Sequence, residues 1–357
     1  MSLAAAVSRS ALDVAGRQVG PGQPCFIIAE AGVNHDGELE TARRLVQVAA
    51  EAGADAVKFQ TFSADRTVTR HAPKAGYQLR STDPSESQVE MLRRLELSAD
   101  AHRELTAESR RRGILFLSTP FDEQSADFLE GLGVAAFKIP SGELTNLPFL
   151  EHVARKGRPM IISTGMATME ETEAAVRAVT EAGNQGVLLL HCVSAYPADP
   201  RDANLRAMRT LERAFGVGVG YSDHTPGIEV ALAAVALGAC VIEKHFTLDR
   251  GLPGPDHLAS IEPAELRSLV RGVRTVEAAL GHGRKEPAAC EAEIAAVSRK
   301  SIVAARDIPA GALITKDLLT MKCPGTGLAP SMLGRVLGRT ASRDIPADTL
   351  IAPEMLR

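Results

Sequence analysis

The feature that most limits how this chain can fold is a series of eight short apolar runs, each separated from the next by a helical pattern. The runs are CFIIAEA (25–31), ADAVKFQT (54–61), ILFLST (114–119), VAAFKIP (134–140), PMIIST (159–164), GVLLLHC (186–192), GVGYSD (218–223) and CVIEKHF (240–246). Continuous apolar runs of this length suit strands buried on both faces, and strands joined through helices are parallel neighbours. Intervening stretches such as ELETARRLVQVAAEAG, DAHRELTAESRRRG and TMEETEAAVRAVTEAG end on glycine, as helix C-termini do. Eight such units predict an α/β fold, a (β/α)8 TIM barrel over residues 25–281. The competing reading is an open doubly wound sheet, whose first turn would carry a glycine-rich dinucleotide fingerprint. Here that turn reads EAGVNHDG.

Around this core the texture changes in three places. Residues 1–24 form a lead-in that ends in a hairpin or loop, LDVAGRQVGPGQP. Its opening, MSLAAAVSRSALDV, lacks a basic region followed by a sufficient apolar core, so it does not read as a signal peptide. The second and third strands are separated by residues 61–113, where a polar stretch, RTVTRHAPKAGYQLRSTDPSESQ, precedes a helix starting near Ser87. On the catalytic side of a barrel an insertion of this length would cover a bound substrate. After the last strand come an amphipathic helix (263–281), a polar linker with one helical piece (282–298), and a tail (299–357) of short strands broken by Pro and Gly. RDIPAG and RDIPAD recur within that tail, which carries nine Lys or Arg against five Asp or Glu in a chain whose net charge is −4. A small basic β-rich module thus follows an acidic barrel.

Charge excludes some partners. A net −4 makes no electrostatic case for nucleic acid or a membrane surface, and no apolar run approaches the roughly 20 residues of a membrane span. The five cysteines are scattered with no CxxC spacing, which excludes a zinc ribbon, argues against a disulfide framework and fits a reducing cytoplasm.

The chemistry gathers where the strands end. In order, the strand ends offer Glu30, Asn34 and His35; Lys58 and Gln60; Ser118 and Thr119; Lys138, Ser141 and Glu143; Ser163 and Thr164; His191, Ser194 and Tyr196; Ser222, Asp223 and His224; Glu243, Lys244 and His245. Each such group costs roughly 1–3 kcal/mol if buried unpaired, so polar groups at all eight ends point to a site. Lys58 and Lys138 sit late in apolar strands and suit an anionic substrate, a phosphate or carboxylate. The plainer reading is a pair of buried salt bridges to Glu30 and Glu143. His224 and His245 end adjacent strands and would stand side by side, as two ligands of a divalent metal or as hydrogen-bonded core histidines. Glu30 and Glu143 are candidate proton-transfer groups or simply the lysines' partners. Tyr196, before Pro197, either donates to a developing charge or stacks in a turn.

Together the stretches FIIAEAGVNHDG, ADAVKFQTF, STPFD, FKIPSGELTN, ISTGMAT, LLHCVSAYP, YSDHTPG, IEKHFTLDR and GPDHLASIEP resemble the sialic acid (N-acetylneuraminate) synthase family, which includes legionaminic and pseudaminic acid synthases. The tail resembles the antifreeze-like SAF domain of those enzymes. The resemblance implies condensation of phosphoenolpyruvate with an open-chain N-acyl hexosamine, N-acetylmannosamine or a 2,4-diacetamido-trideoxyhexose. C3 of phosphoenolpyruvate attacks the sugar aldehyde, water adds at C2, and phosphate leaves by C–O cleavage. It implies a divalent ion, Mn²⁺ or Mg²⁺, held by His224 and His245 to polarise the aldehyde. It places Lys58, Gln60, Thr119, Lys138, Ser141, Ser163 and Ser222 around phosphoenolpyruvate. Glu30 and Glu143 fall on the family's active-site carboxylates, with Glu143 the expected proton-transfer group, and Asp256, Tyr196 and Gln60 orient the sugar. It further implies a domain-swapped homodimer whose tail covers the partner's barrel.

Three positions depart from the family's pattern. Cys323, in Lys322-Cys323-Pro324-Gly325, stands where an arginine usually contacts the sugar's N-acyl group, leaving Lys322 as a substitute binding group. Ser194 stands where the N-acetylneuraminate branch often has Asn, and Leu258 where Lys is common. These departures bear on the acceptor rather than the reaction. Two other functions compete: a 3-deoxy-ketoacid synthase using a phosphorylated aldose, which needs a second basic cluster that the sequence lacks, and a non-enzymatic carbohydrate-binding protein.

Overall fold

The computed structural model describes residues 11–357. The reading of the first ten residues therefore lies outside the described part. The chain divides into two compact units, one ending at Gly281 and one spanning His282–Arg357.

The first unit opens with an antiparallel hairpin of β1 (Leu12–Val14) and β2 (Arg17–Val19). There follow β3 (Phe26–Gly32), α1 (Leu39–Ala52) and β4 (Ala56–Thr61). The insertion then carries the short helices α2 (Ala64–Thr67), α3 (Gly76–Ser81) and α4 (Gln88–Arg94) before α5 (Ala99–Arg112). The rhythm resumes with β5 (Leu115–Pro120), α6 (Glu123–Leu132), β6 (Phe137–Ile139), α7 (Leu147–Ala154), β7 (Met160–Ser163), α8 (Met169–Glu181) and β8 (Val187–Cys192). It ends with α9 (Ala207–Phe215), β9 (Gly218–Asp223), α10 (Glu229–Ala236), β10 (Val241–His245) and α11 (Pro263–Leu280). All eight predicted strands form, in one parallel sheet of order β5-β4-β3-β10-β9-β8-β7-β6. The end strands β5 and β6 lie beside each other without a hydrogen-bonded ladder, so the barrel closes with one seam.

Local chemistry explains the punctuation. Helices α1, α5 and α6 stop at Gly53, Gly113 and Gly133, whose φ values of 80°, 70° and 81° lie in the left-handed region. Ser87 caps α4 in a capping box with Glu90, at the helix start expected there. The insertion's two earlier helices, α2 and α3, had no periodic signal in the sequence because each is under two turns long.

Alternation along the strands separates two cores. Ile27, Ala29, Val57, Phe59, Phe137, Ile162 and Leu189 face the helices. Phe26, Ile28, Ala56, Leu117, Ile161, Leu188, Leu190 and Val241 fill the barrel, with Val14 and Val19 of the hairpin packed beneath them. Each large aliphatic chain buried there contributes roughly 1.5–3 kcal/mol. The interior is tight at Gly220, where a Cβ would lie 2.4 Å from the Val241 carbonyl oxygen and 2.7 Å from Leu190 Cδ2. The same alternation carries upward, so the inward residues of the last layer are polar.

The second unit begins with α12 (Ala292–Ser298) and has an antiparallel pair, β11 (Ser301–Ala304) and β12 (Leu319–Lys322). Its core is Ile302, Ala304, Ile308, Ile314, Val336, Ala341, Ile345 and Ile351. The repeated RDIPA segments pair with each other: the Ile308 and Ile345 amides donate to each other's carbonyls at 2.8 and 2.9 Å. Asp307 accepts from the Ala347 amide and Asp344 from the Ala310 amide, both at 2.7 Å.

Candidate active site

At the carboxyl ends of the strands a cavity of about 440 Å³ opens. Strand alternation aims its floor. In β10, Glu243 and His245 share a face and Lys244 takes the other; in β4, Lys58 and Gln60 point inward. Lys58 Nζ lies 2.8 Å from Glu30 Oε2, donates to Thr119 Oγ1 at 2.8 Å, and is 3.8 Å from Glu243 Oε2. Lys138 Nζ donates to Ser163 Oγ at 2.8 Å and the Ile139 carbonyl at 3.0 Å, and lies 3.6 Å from Glu243 Oε1. Ser222 Oγ donates to Glu243 Oε1 at 3.1 Å, and Gln60 Nε2 sits 3.5 Å from Glu30 Oε1. The salt-bridge reading therefore holds for Lys58 with Glu30 but not for Lys138 with Glu143: the carboxylate beside Lys138 is Glu243, and Lys138 also lines the cavity.

The two carboxylates differ. Burial raises Glu30 to about 7 despite the opposing pull of Lys58. Burial also pushes Glu243 upward, but Lys138 and Lys58 together outweigh it and hold this carboxyl below its ordinary value. One group keeps its proton until near neutrality while the other stays ionised beside two ammonium groups. Burial lowers Lys138, opposed by Glu243.

His224 and His245 stand side by side as expected, with ring centroids 5.5 Å apart. His224 Nδ1 lies 2.6 Å from the Val193 carbonyl, which requires an N–H there and leaves Nε2 with its lone pair. Burial lowers His224 and drives His245 well below its ordinary value, so both rings are neutral. His245 Nδ1 is buried without a hydrogen-bond partner and lies 3.7 Å from Asp256 Oδ2. Burial raises Asp256 to about 6, against the pull of His257 and Lys58. Among the described residues no group of three or more His, Cys, Asp or Glu is arranged around a metal position. Two neutral imidazoles fit a first-row divalent ion only if water or substrate supplies the remaining positions.

Tyr196 packs at a tilt against His224, with ring centroids 4.2 Å apart, and meets His245 edge-on at 5.6 Å. Burial, then the nearby Asp256 carboxylate, holds its phenol well above the usual value. Tyr77 of the insertion packs on Tyr196 at 5.0 Å. Ser141 Oγ contacts Cys192 Sγ at 3.1 Å and accepts from the Gly165 amide at 3.0 Å. At Gly165 a Cβ would fall 2.2 Å from Ser194 Oγ, so only glycine lets these loops meet.

Of the expected residues, Glu30, Gln60, Thr119, Lys138, Ser141, Ser163, Ser194, Tyr196, Ser222, His224, His245 and Asp256 all line this one cavity, and Lys58 lies just beneath it. Glu143 does not join them. The chain leaves β6 through a turn of 3-10 helix at Ser141–Glu143, which presents Ser141 and Gly142 to the cavity and pairs the Glu143 carboxylate with Asn146 Nδ2 at 2.7 Å. Lys322 belongs to the second unit, where it pairs with Asp348. The cavity's second floor carboxylate is instead Glu243, named among the strand-end groups but given no role there. Its spacing of two from His245 was the signal, because residues i and i+2 of a strand share a face. Tyr77 and Gln78 also line the cavity and had no comparable signal.

The comparisons with known proteins agree with this geometry. Residues 45–285 match the model of the NeuB family, and residues 299–357 match the SAF domain. The chain is 51% identical over 336 residues to N,N'-diacetyllegionaminic acid synthase of Legionella pneumophila, covering 93% of this chain and 94% of that protein. It is 48% identical to the protein of that name from Campylobacter jejuni, covering 91% and 98%. A crystal structure of an N-acetylneuraminic acid synthetase from Leptospira borgpetersenii, in complex with citrate, superposes with a TM-score of 0.72 at 38% identity, covering 81% of this chain and 96% of that one. The chain belongs to the NeuB family, built as a TIM barrel followed by a SAF domain, and is an enzyme of the sialic acid synthase type.

Proposed function

We propose that this enzyme condenses phosphoenolpyruvate with an open-chain N-acyl hexosamine, giving a nonulosonic acid and inorganic phosphate. The observation that carries this reading is the floor of the cavity, where Lys58 and Lys138 stand within 4 Å of the buried carboxylates Glu30 and Glu243, in one site with two side-by-side imidazoles. Lys138, Ser163 and Thr119 bind and orient the phosphate and carboxylate of phosphoenolpyruvate. Glu30 holds a proton near neutrality and is positioned to give it to the aldehyde oxygen as C3 of phosphoenolpyruvate forms the new bond. Ionised Glu243 accepts a proton from the water that adds at C2, and phosphate leaves with its bridging oxygen. Asp256 and Tyr196 orient the sugar from the opposite side. His224 and His245 fit a divalent ion, Mn²⁺ or Mg²⁺, which when bound would polarise the aldehyde as a Lewis acid. The SAF domain of a second copy completes this site in the domain-swapped dimer that the family resemblance implies, and the enzyme works in the cytoplasm.

The test is phosphate release from phosphoenolpyruvate with a panel of N-acetylmannosamine and 2,4-diacetamido-trideoxyhexoses, with chelator and after Mn²⁺ is restored. The expected result is sugar-dependent release that chelation abolishes and Mn²⁺ recovers. No release above background with any of these sugars would overturn the reading.

A further inference from the structure

The Asp256 carboxylate is buried and lines the cavity, yet its oxygens take no hydrogen bond among the described residues. His245 Nδ1, 3.7 Å from Asp256 Oδ2, is beyond hydrogen-bond reach. The backbone therefore sets where this group stands, and two contacts fix that backbone from the turn that follows β3. In the first, Asn34 Nδ2 donates to the Phe246 carbonyl at 2.9 Å and to Ser260 Oγ at 2.8 Å, and Ser260 Oγ donates to the Asp256 carbonyl at 2.7 Å. In the second, His257 Nε2 donates to Asp36 Oδ2 at 3.1 Å, across 221 residues of sequence, while its Nδ1 meets Thr247 Oγ1 at 2.7 Å. Gly254 lets the loop pass over this pair, because a Cβ there would lie 2.6 Å from His257 Cδ2 and 2.8 Å from Asp36 Oδ1. Asn34, His257 and Ser260 are buried, Asp36 is half-buried, and none of the four lines the cavity. The bonds end beside Asp256 and leave its carboxylate lone pairs for a ligand.

We propose that the Asn34–Ser260 relay and the Asp36–His257 pair are positioning groups that hold Asp256 against the acceptor sugar, so that residues which never touch the sugar set part of its affinity. The inference rests on the condensation reading above and on the place it gives Asp256. Both contacts land at the 3-10 turn His257–Ala259 or its flanks, so loosening either one lets the carboxylate drift. A hydrogen bond from a sugar hydroxyl weakens steeply with distance and angle, and a small drift is felt at once. Thr119, Lys138 and Ser163 stand on β5, β6 and β7, which the clamp does not touch. The effect should therefore fall on the sugar and spare phosphoenolpyruvate.

The experiment measures the KM of each substrate separately, together with the denaturation midpoint, in the full chain. The variants are Asp36→Ala, Asp36→Asn, Ser260→Ala, Asp256→Ala, and each alanine variant of the clamp combined with Asp256→Ala. The acceptor is whichever of N-acetylmannosamine and the 2,4-diacetamido-trideoxyhexoses gives the fastest phosphate release. Asp36→Ala should raise the acceptor KM about tenfold and leave that of phosphoenolpyruvate within about twofold. Asp36→Asn keeps an acceptor for His257 and should recover most of the loss, and Ser260→Ala should raise the acceptor KM about threefold. With Asp256→Ala already present, either clamp substitution should add less than about twofold, because the group it positions is gone. Should Asp36→Ala fail to fold, Ser260→Ala and its combination with Asp256→Ala carry the same test. An unchanged acceptor KM in Asp36→Ala or Ser260→Ala, an equal rise in both substrates' KM, or a full additional effect in the absence of Asp256 would each overturn this inference and leave the condensation reading standing. An unchanged acceptor KM in Asp256→Ala would overturn the sugar-orienting place of Asp256 and this inference with it. Absence of phosphate release with every sugar would overturn the condensation reading itself.

Discussion

Strand β10 carries two charged neighbours that meet opposite fates. Lys244 turns away from the cavity and is closed off: its Nζ reaches Asp223 Oδ2 at 2.6 Å and the Thr225 carbonyl at 2.7 Å, while Asp223 Oδ1 accepts from the Thr225 amide and hydroxyl at 2.9 and 2.7 Å. Glu243, one residue earlier, faces the cavity with Oε2 buried and without a hydrogen-bond partner. Two oppositely charged neighbours, equally buried, thus serve two purposes, and unused hydrogen-bonding capacity separates them. A completed network holds strands together, whereas an incomplete one keeps capacity for a ligand.

The contrast is broken or sharpened by substitution. The largest effect is expected from Lys138→Met, which should lower phosphate release about 10²–10³-fold while stability falls less than in Lys244→Met, because Lys58 still stands 3.8 Å from Glu243. A collapse of stability with little change in turnover would place Lys138 with Lys244. Next comes Lys244→Met, which strands Asp223 as a buried unpaired carboxylate. Urea unfolding should show a loss of about 3–5 kcal/mol.

The third prediction concerns another closed group, His35. Its Nδ1 accepts from the Gly37 amide at 3.0 Å, a bond that protonation would break, and burial lowers its pKa to about 4. The unfolded chain then binds the extra proton between the ordinary histidine value and about 4, so stability is complete above that window and falls as pH drops through it. The full loss is of order 3 kcal/mol, and His35→Gln should flatten that part of the pH–stability curve. The smallest effect is expected at the exposed Lys322–Asp348 pair, where Lys322→Ala should change stability by under about 1 kcal/mol. A selective rise in acceptor KM in that variant would return Lys322 to the binding groups.

Much of the barrel was legible because buried parallel strands write themselves as apolar runs, and all eight appear within a few residues of their expected bounds. The paired imidazoles followed from strand adjacency alone. The carboxylates were harder. Glu30 lies within a strand and obeys its alternation, whereas Glu143 follows the strand, where a 3-10 turn rotates its side chain out of register with Lys138. Glu243 stood among the strand-end groups without a role, although alternation from His245 predicts its direction. Tyr77 sits in a helix of six residues bounded by polar loops, too short for any periodic signal, and its importance arises from contacts with distant Tyr196. The RDIPA echo in the tail was visible as words, while the mutual capping by Asp307 and Asp344 that explains it needed the folded unit.

The barrel's one seam falls beside β6, the three-residue strand that carries Lys138. The six strands from β4 to β7 in the sheet order are clamped on both edges, whereas β5 is zipped to β4 alone and β6 to β7 alone, the latter through Phe137, Lys138 and Ile139. Amide protons along that free edge are therefore the barrel's early leavers in solvent exchange. Lys138, the proposed anion-binding lysine, thus rides on a strand held by a single ladder.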